Sequence, residues 1–333
     1  PDGAYLGTDN THYFSGYHGY WPIDPTGIEQ RWGDMEIDSE ARLKELIEAA
    51  HRQGIRVMFD LVLNHVHEDH IYIDENPGWF GDGCVCGDEG CGWEEKPVEC
   101  WFTDYLPDLN YQNHEILERV VADTLWLVRE YDVDALRIDA AKHMDHVIMR
   151  TLSMRVRDDI ERVGGAEFYL VGETFTSDHD TIMDYVNDYE LDGQFDFPVY
   201  YAIRNAFVYG GSFYDLESSV EYNASRWGPY LMSPFMGNHD VTRIATEITG
   251  AAGDCWYDYY EDPMADGGGS VTEWDVINRM SMALAFTLTQ PGVPLLYYGD
   301  EIGLHGSGDP DNRRFMSFDP YLSANQSELL GRA

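Results

Sequence analysis

Lysine is nearly absent from this chain. Its 333 residues carry 21 Lys and Arg against 61 Asp and Glu. Only Lys44, Lys96 and Lys142 are lysines, so the other basic residues are arginines. The formal net charge of −40 excludes nucleic acid and anionic membrane as partners, because such a surface repels phosphate. It also repels itself, and salt screens that repulsion. Few lysines with surplus carboxylates predict a protein from a high-salt environment, with an ordinary acidic secreted protein as the alternative. No window of about 18 apolar residues occurs, so no transmembrane helix is expected. No signal peptide is visible, and the opening Pro1-Asp2-Gly3 reads as that of a processed or trimmed chain. There is no low-complexity repeat and no G-x-G-x-x-G, the usual announcement of an open dinucleotide-binding sheet.

Cysteine is also scarce. Four of the five are crowded together as Cys84, Cys86, Cys91 and Cys100, and Cys255 stands alone as a lone thiol. CVCGDEGC lacks the paired C-x-x-C spacing of common zinc sites. Two disulfides in an oxidised loop are the leading expectation, ahead of a metal site or reduced thiols. Four cysteines allow three pairings, and sequence does not choose among them.

What is present is a large apolar fraction: 44% hydrophobic and 14% aromatic, with a mean hydropathy of −0.41. That supports a soluble chain of one large domain or two smaller ones. The apolar runs alternate with helical patterns. IRVMFDLVL (55–63) reads as a parallel strand buried on both faces. It follows a helix with Ser39 as cap, Leu43, Leu46, Ile47 and Ala50 on one face, and Gly54 as stop. Further strands are predicted at 133–138, 167–172, 195–200, 231–237 and 293–299. Helices are predicted near 113–130, 145–163, 178–189 and 272–289, with a Gly-rich loop at Asp266–Gly269. Repeated β-α units imply a parallel sheet. Residues 66 to about 112 break the rhythm as a long aperiodic insertion, which is usually functional or a small subdomain.

Polar residues gather at the strand ends. Asn64 and His65 close the first strand, Arg137 and Asp139 the second, Glu173 the third, and His239 and Asp240 the fifth. That placement is what a (β/α)₈ barrel puts on its active face. Residues two apart on a strand point to the same side, so Arg137 and Asp139 project together. Arg137 can therefore hold Asp139 ionised and oriented.

DLVLNHV (60–66), ALRIDAAKH (135–143), VGETF (171–175) and FMGNHD (235–240) resemble the four ordered sequence blocks of the alpha-amylase family of glycoside hydrolases. LPDLN (106–110), YHGYW (17–21) and GVPLLYYGDEIG (292–303) match further family segments. The likeness runs from about residue 12 to about residue 320. It implies a (β/α)₈ TIM barrel with an irregular insertion after the third barrel strand. The barrel would be partial, over 1–65 and 113–333, with 66–112 as a cysteine-containing subdomain. The first two strands, the final helix and the C-terminal β-sandwich of the family are expected to be missing, as in a fragment.

The resemblance also implies roles. Asp139 matches the nucleophile, Glu173 the acid/base and Asp240 a third carboxylate that grips sugar hydroxyls. Retaining cleavage needs two carboxyl groups about 5–5.5 Å apart, one ionised and one protonated. His65 and His239 match histidines that contact sugar at the cleavage subsite. Tyr20 matches a stacking tyrosine there, with His18 and Trp21 beside it. Lys142 and His143 match a pair beyond the cleaved bond, and Arg313 or Arg314 is expected to reach sugar hydroxyls. Asn64, Asp108 and the carbonyl of His143 match ligands for Ca²⁺, which favours hard oxygen donors. The expected protein is a secreted, monomeric enzyme acting on α-1,4-glucans or maltooligosaccharides. Cyclomaltodextrinases, neopullulanases, α-glucosidases and glucanotransferases share these blocks. A non-catalytic glucan-binding relative is disfavoured, because such relatives generally lack one or more of the acids.

Overall fold

The computed structural model describes residues 5–6, 13–33, 38–250 and 273–333. Cys255 and the Gly-rich segment 266–269 lie outside the described residues. By internal contact the chain divides into two compact units, residues 1–175 with 181–193, and residues 176–180 with 194–333.

The first unit opens with a short antiparallel pair, β1 (Tyr5–Leu6) and β2 (Tyr13–Phe14). Helix α1 (Ser39–Arg52) follows. Its cap is Asp38, not Ser39: the Asp38 carboxylate accepts from the Ala41 N–H at 2.8 Å. Ser39 is the first helical residue. A carboxylate at that end also complements the helix dipole. Gly54 lies just beyond the helix with φ +75°, the left-handed turn that glycine tolerates.

Strand β3 (Met58–Leu61) runs parallel to β4 (Ala135–Ile138), which runs parallel to β5 (Tyr169–Gly172). The register places Asp60 beside Arg137 and Arg137 beside Val171. All four β4 residues are buried, as in a strand covered on both faces, whereas β3, for which that burial was expected, alternates between exposed and half-buried residues. Between β3 and β4 lie the short helix α2 (Ile71–Glu75) and α3 (His114–Tyr131). The Asn113 side chain caps α3, and Ile116, Val120, Val121, Leu125 and Val128 turn inward at helical spacing. They pack with Leu136, Ile138, Ile148, Leu152 and Leu170 in one core. Helix α4 (His146–Val156) continues through a π-turn into α5 (Arg162–Gly164), so the predicted 145–163 helix is present with one irregular turn. Helix α6 (His179–Asp184) is shorter than the predicted 178–189.

The insertion contains two disulfides, Cys84–Cys91 and Cys86–Cys100. Cys86, Cys91 and Cys100 are buried in their own cluster with Phe102 against it.

Near the start of the insertion, buried His70 caps α2: its Nδ1 accepts from the Tyr72 N–H at 3.0 Å. That nitrogen must be unprotonated to accept. Burial lowers the His70 pKa to about 4, against about 6.5 in an unfolded chain. The unfolded state therefore takes up the proton first. The stabilisation is full above pH 6.5 and fades as pH falls toward 4, by up to about 3 kcal/mol. His70→Asn keeps a capping oxygen without the titration, so its urea midpoint is expected to fall less than the parent's between pH 7 and pH 4.5.

In the second unit the predicted 195–200 strand is absent. A two-residue strand, β6 (Gly193–Gln194), ends before it, and Phe197–Phe207 forms helix α7. Asp196 explains the change. Its carboxylate accepts from the Val199 N–H at 3.0 Å, from Asn223 Nδ2 at 2.9 Å and from Trp227 Nε1 at 2.7 Å. Pro198 sits in the first turn, where its missing N–H costs nothing. The predicted strands 231–237 and 293–299 are reduced to isolated parallel bridges, Phe195 to Ser233 and Phe235 to Leu295. Helices α8 (Phe213–Trp227), α9 (Ile244–Thr249), α10 (Glu273–Leu288) and α11 (Ala324–Arg332) complete this unit. Ile203, Phe207, Ile244, Met280 and Leu284 anchor its core. Helix α11 begins with a Ser323/Gln326 capping box and was not among the predicted helices.

Candidate active site

The end of β4 is the chemical centre of the first unit. Arg137 is 4% exposed. Its Nη1 lies 2.5 Å from Asp139 Oδ1 and 2.7 Å from Asp60 Oδ1, and its Nη2 lies 2.9 Å from Glu173 Oε2. One guanidinium thus holds three carboxylates. Because its two terminal nitrogens are rigidly spaced, the gripped oxygens of Asp139 and Glu173 lie within about 8 Å of each other. Burial alone would lower the Arg137 pKa, but Glu173, Asp139 and Asp60 raise it well above the ordinary arginine value. Its positive charge is therefore permanent.

The main chain fixes the acids as well. The Asp139 N–H donates to Leu61 O at 3.0 Å, the Glu173 N–H to Ile138 O at 2.9 Å, and the Ala141 N–H to Glu173 O at 2.8 Å. The parallel ladder thus extends past the strand ends and sets the two acidic residues on adjacent strands. Ala140, between Asp139 and Ala141, has φ +50°. A non-glycine residue in that region stores backbone strain, which concentrates at functional sites.

Tyr20 donates to Asp60 Oδ2 at 2.7 Å, and the Arg137 guanidinium lies 5.6 Å from its ring centre. Burial is the main cause of its raised pKa, so the phenol stays protonated. His18 stacks on Tyr20 and meets Trp21 edge-on. His65 is buried, and its pKa falls to about 4 through burial. Its Nε2 lies 3.1 Å from Tyr20 O; a carbonyl only accepts, so Nε2 carries the proton. His143 likewise falls to about 4, chiefly by burial, with Nδ1 protonated toward Pro97 O at 2.8 Å. Its ring meets Trp93 and Phe102, and Phe102 also meets His65. The disulfide-bonded loop therefore packs against both histidines. Lys142 Nζ donates to Phe175 O at 3.3 Å.

Asn64 and Asp108 are neighbours: the Leu109 N–H donates to Asn64 O at 3.0 Å, and His65 bridges Asp108. Asn64 Oδ1 is buried without a hydrogen-bond partner. Asp108 is 4% exposed, and burial, with a smaller push from Glu99, raises its carboxyl to about 9. Two buried oxygens short of positive charge fit a hard cation. Among the described residues no group of three or more His, Cys, Asp or Glu could hold a metal, but a site of one amide, one carboxylate and one carbonyl is not of that kind.

The remaining predicted residues lie in the second unit. His239 Nε2 is 3.3 Å from Asp240 Oδ2, and Arg313 Nη2 is 3.6 Å from Asp240 Oδ1. Arg313 also pairs with Asp309 at 2.6 Å. Arg314 Nε and Nη2 both bind Asp311, at 2.8 and 3.0 Å. That two-pronged pairing turns its donors to a carboxylate within its own loop. Asp60, Trp93 and Phe102 were not singled out from sequence. Asp60 had a signal, since it opens the DLVLNHV block on the strand that borders β4.

The family model for the alpha-amylase catalytic domain matches residues 8–78 and 87–321, and its break falls where the cysteine loop begins. Alpha-amylase 2 of Schwanniomyces occidentalis is 27% identical over 95% of this chain and 56% of its own length. A cyclomaltodextrinase of Thermoanaerobacter pseudethanolicus is 27% identical over 90% and 47%. The crystal structure of alpha-amylase from Geobacillus thermoleovorans complexed with acarbose superposes with a TM-score of 0.75 and 28% identity, over 95% of this chain and 63% of that one. The chain spans about half the length of these curated relatives. The chain belongs to the alpha-amylase family of glycoside hydrolases, and its fold is the (β/α)₈ barrel of that family's catalytic domain.

Proposed function

We propose that the protein hydrolyses internal α-1,4-glucosidic bonds of starch-like glucans with retention. Asp139 attacks the anomeric carbon and forms a covalent glycosyl-enzyme. Glu173 protonates the departing oxygen and then, as carboxylate, draws a proton from the incoming water. Asp240 grips sugar hydroxyls and favours the distorted ring. The observation that carries this reading is the Arg137 guanidinium held between Asp139 and Glu173. It gathers the proposed nucleophile and the proposed acid/base around one fixed positive charge, as a pair of carboxyl groups flanking a single bond requires. Tyr20 supplies an aromatic face, and neutral His65 braces the Tyr20 main chain by donating Nε2–H to its carbonyl without adding charge.

A product profile on amylose, cyclodextrin, pullulan and maltose tests the substrate. Rapid loss of iodine staining with little glucose is expected, and glucose as first product would reject internal cleavage. The likeness to a cyclomaltodextrinase favours cyclodextrin as the second substrate to examine.

Calcium would be held by Asn64 Oδ1, the Asp108 carboxylate and the His143 carbonyl, tying the insertion to the strand ends without entering the reaction. Binding at about a thousand times Kd stabilises by about 4 kcal/mol. EDTA is expected to lower the melting temperature and excess Ca²⁺ to restore it; no change with either would reject the site.

We also propose secretion, on the two disulfides, and adaptation to salt. The 21 cationic residues can neutralise no more than 21 of the 61 acids. Melting temperature is expected to rise from 0.05 M toward molar NaCl as repulsion is screened, in roughly the range where the Debye length shrinks from over 10 Å to about 3 Å. Greatest stability in salt-free buffer would contradict it.

A further inference from the structure

Asp240 sits in an irregular link of the second unit, and the peptide groups around it are held from one side. Asn312 Nδ2 donates to His239 O at 2.6 Å and to Val241 O at 2.9 Å. These are the carbonyls of the residues immediately before and after Asp240. The Asp240 N–H donates to Asn238 Oδ1 at 3.0 Å. A single amide nitrogen therefore fastens the chain on both sides of the carboxylate. Its orientation is forced: flipped, Oδ1 would face two carbonyl oxygens with no hydrogen between them.

Asn312 is fully buried, and its own Oδ1 has no hydrogen-bond partner. An unmet buried acceptor is costly, so the amide is not kept for its own satisfaction. Its two donors are what the site uses. The residue is also anchored from behind. Arg243, with its side chain wholly buried, donates Nε to Asn312 O at 2.8 Å and pairs with Asp300 at 3.2 Å. The rings of Tyr297 and Tyr298 lie 4.1 and 4.8 Å from its guanidinium. Gly306 lets the segments meet backbone to backbone: a Cβ there would come within 2.7 Å of Asn312 Cα. The Arg243 N–H donates to Gly306 O at 3.0 Å.

We infer that Asn312 is a positioning residue for Asp240, fixing the two flanking peptide groups so that the carboxylate is presented in one direction. The inference rests on the reading of Asp240 as the third carboxylate. Because that group acts on the distorted sugar, misplacing it lowers turnover more than ground-state binding.

The test is kinetic, with the whole chain and soluble starch. Asn312→Leu keeps the branched shape and removes both donors. Its kcat is expected to fall about 30- to 100-fold, the scale of a small misplacement near the chemistry, with KM changed by less than about 3-fold. Asn312→Ser, smaller but still a hydroxyl donor, is expected to fall between Asn312→Leu and the parent, and carries the test if the leucine variant does not fold. Each is also combined with Asp240→Asn. Once the carboxylate is gone, losing its holder costs less than about 3-fold more, whereas a purely structural residue costs the same in both backgrounds. Equal cost in both backgrounds would overturn the inference, as would parental turnover in both Asn312 variants. Parental turnover in Asp240→Asn alone would instead overturn the reading of Asp240, and the inference with it.

Discussion

Glu173→Gln is expected to lower kcat on soluble starch by about 10³-fold, within the range that a positioned general acid contributes. The amide has the same shape and cannot give up a proton to the leaving oxygen. KM is expected to change far less, since the proton matters in the transition state and not in binding. The loss has a second signature. An activated aryl maltoside carries a leaving group that departs without protonation, so cleavage of its first bond is expected to recover much of the rate. Equal losses on starch and on the activated substrate would assign Glu173 a binding role. Unchanged starch hydrolysis would remove it from catalysis altogether.

Arg137→Leu is expected to destabilise the first unit by about 3–5 kcal/mol, the scale for removing one partner of a buried ion pair. The reason is the number of groups it serves. Asp139, Asp60 and Glu173 all lie within 3 Å of its terminal nitrogens, and two of the three are themselves largely buried. Without the guanidinium these acids repel one another in a place water reaches poorly. Urea unfolding reads the loss directly. Arg137→Lys keeps the charge but cannot span both sides with a single ammonium, so it is expected to fall between the leucine variant and the parent. Parental stability in Arg137→Leu would mean that the acids are not held by this residue.

The same cluster shows how far sequence reading reaches. The pairing of Arg137 with Asp139 was legible, because strand geometry sends alternate residues to one side. Its contacts with Asp60 and Glu173 were not, because they depend on register between strands far apart in the chain. The 60-to-137 alignment becomes available only once β3 and β4 are paired. FDFPVY misled for a different reason. Its apolar run fits a strand, but Asp196 caps a helix and then satisfies Asn223 and Trp227, partners about thirty residues away. Arg313 and Arg314 were indistinguishable as letters; the loop gives Arg314 to Asp311 and leaves Arg313 beside Asp240. The strand-end acids were visible because each occupies a block with a resemblance to carry it. Helix α8 had no such block, and its amphipathic pattern alone did not draw attention to it.

The central claim is that Asp139 forms a bond to sugar. The most direct measurement is to trap that bond with an activated fluoroglycosyl fluoride, digest the protein and map the modified peptide by mass. One glycosyl group esterified to Asp139 is the result expected. A label on any other residue would contradict the account, as would release of the inverted anomer as first product with no label at all.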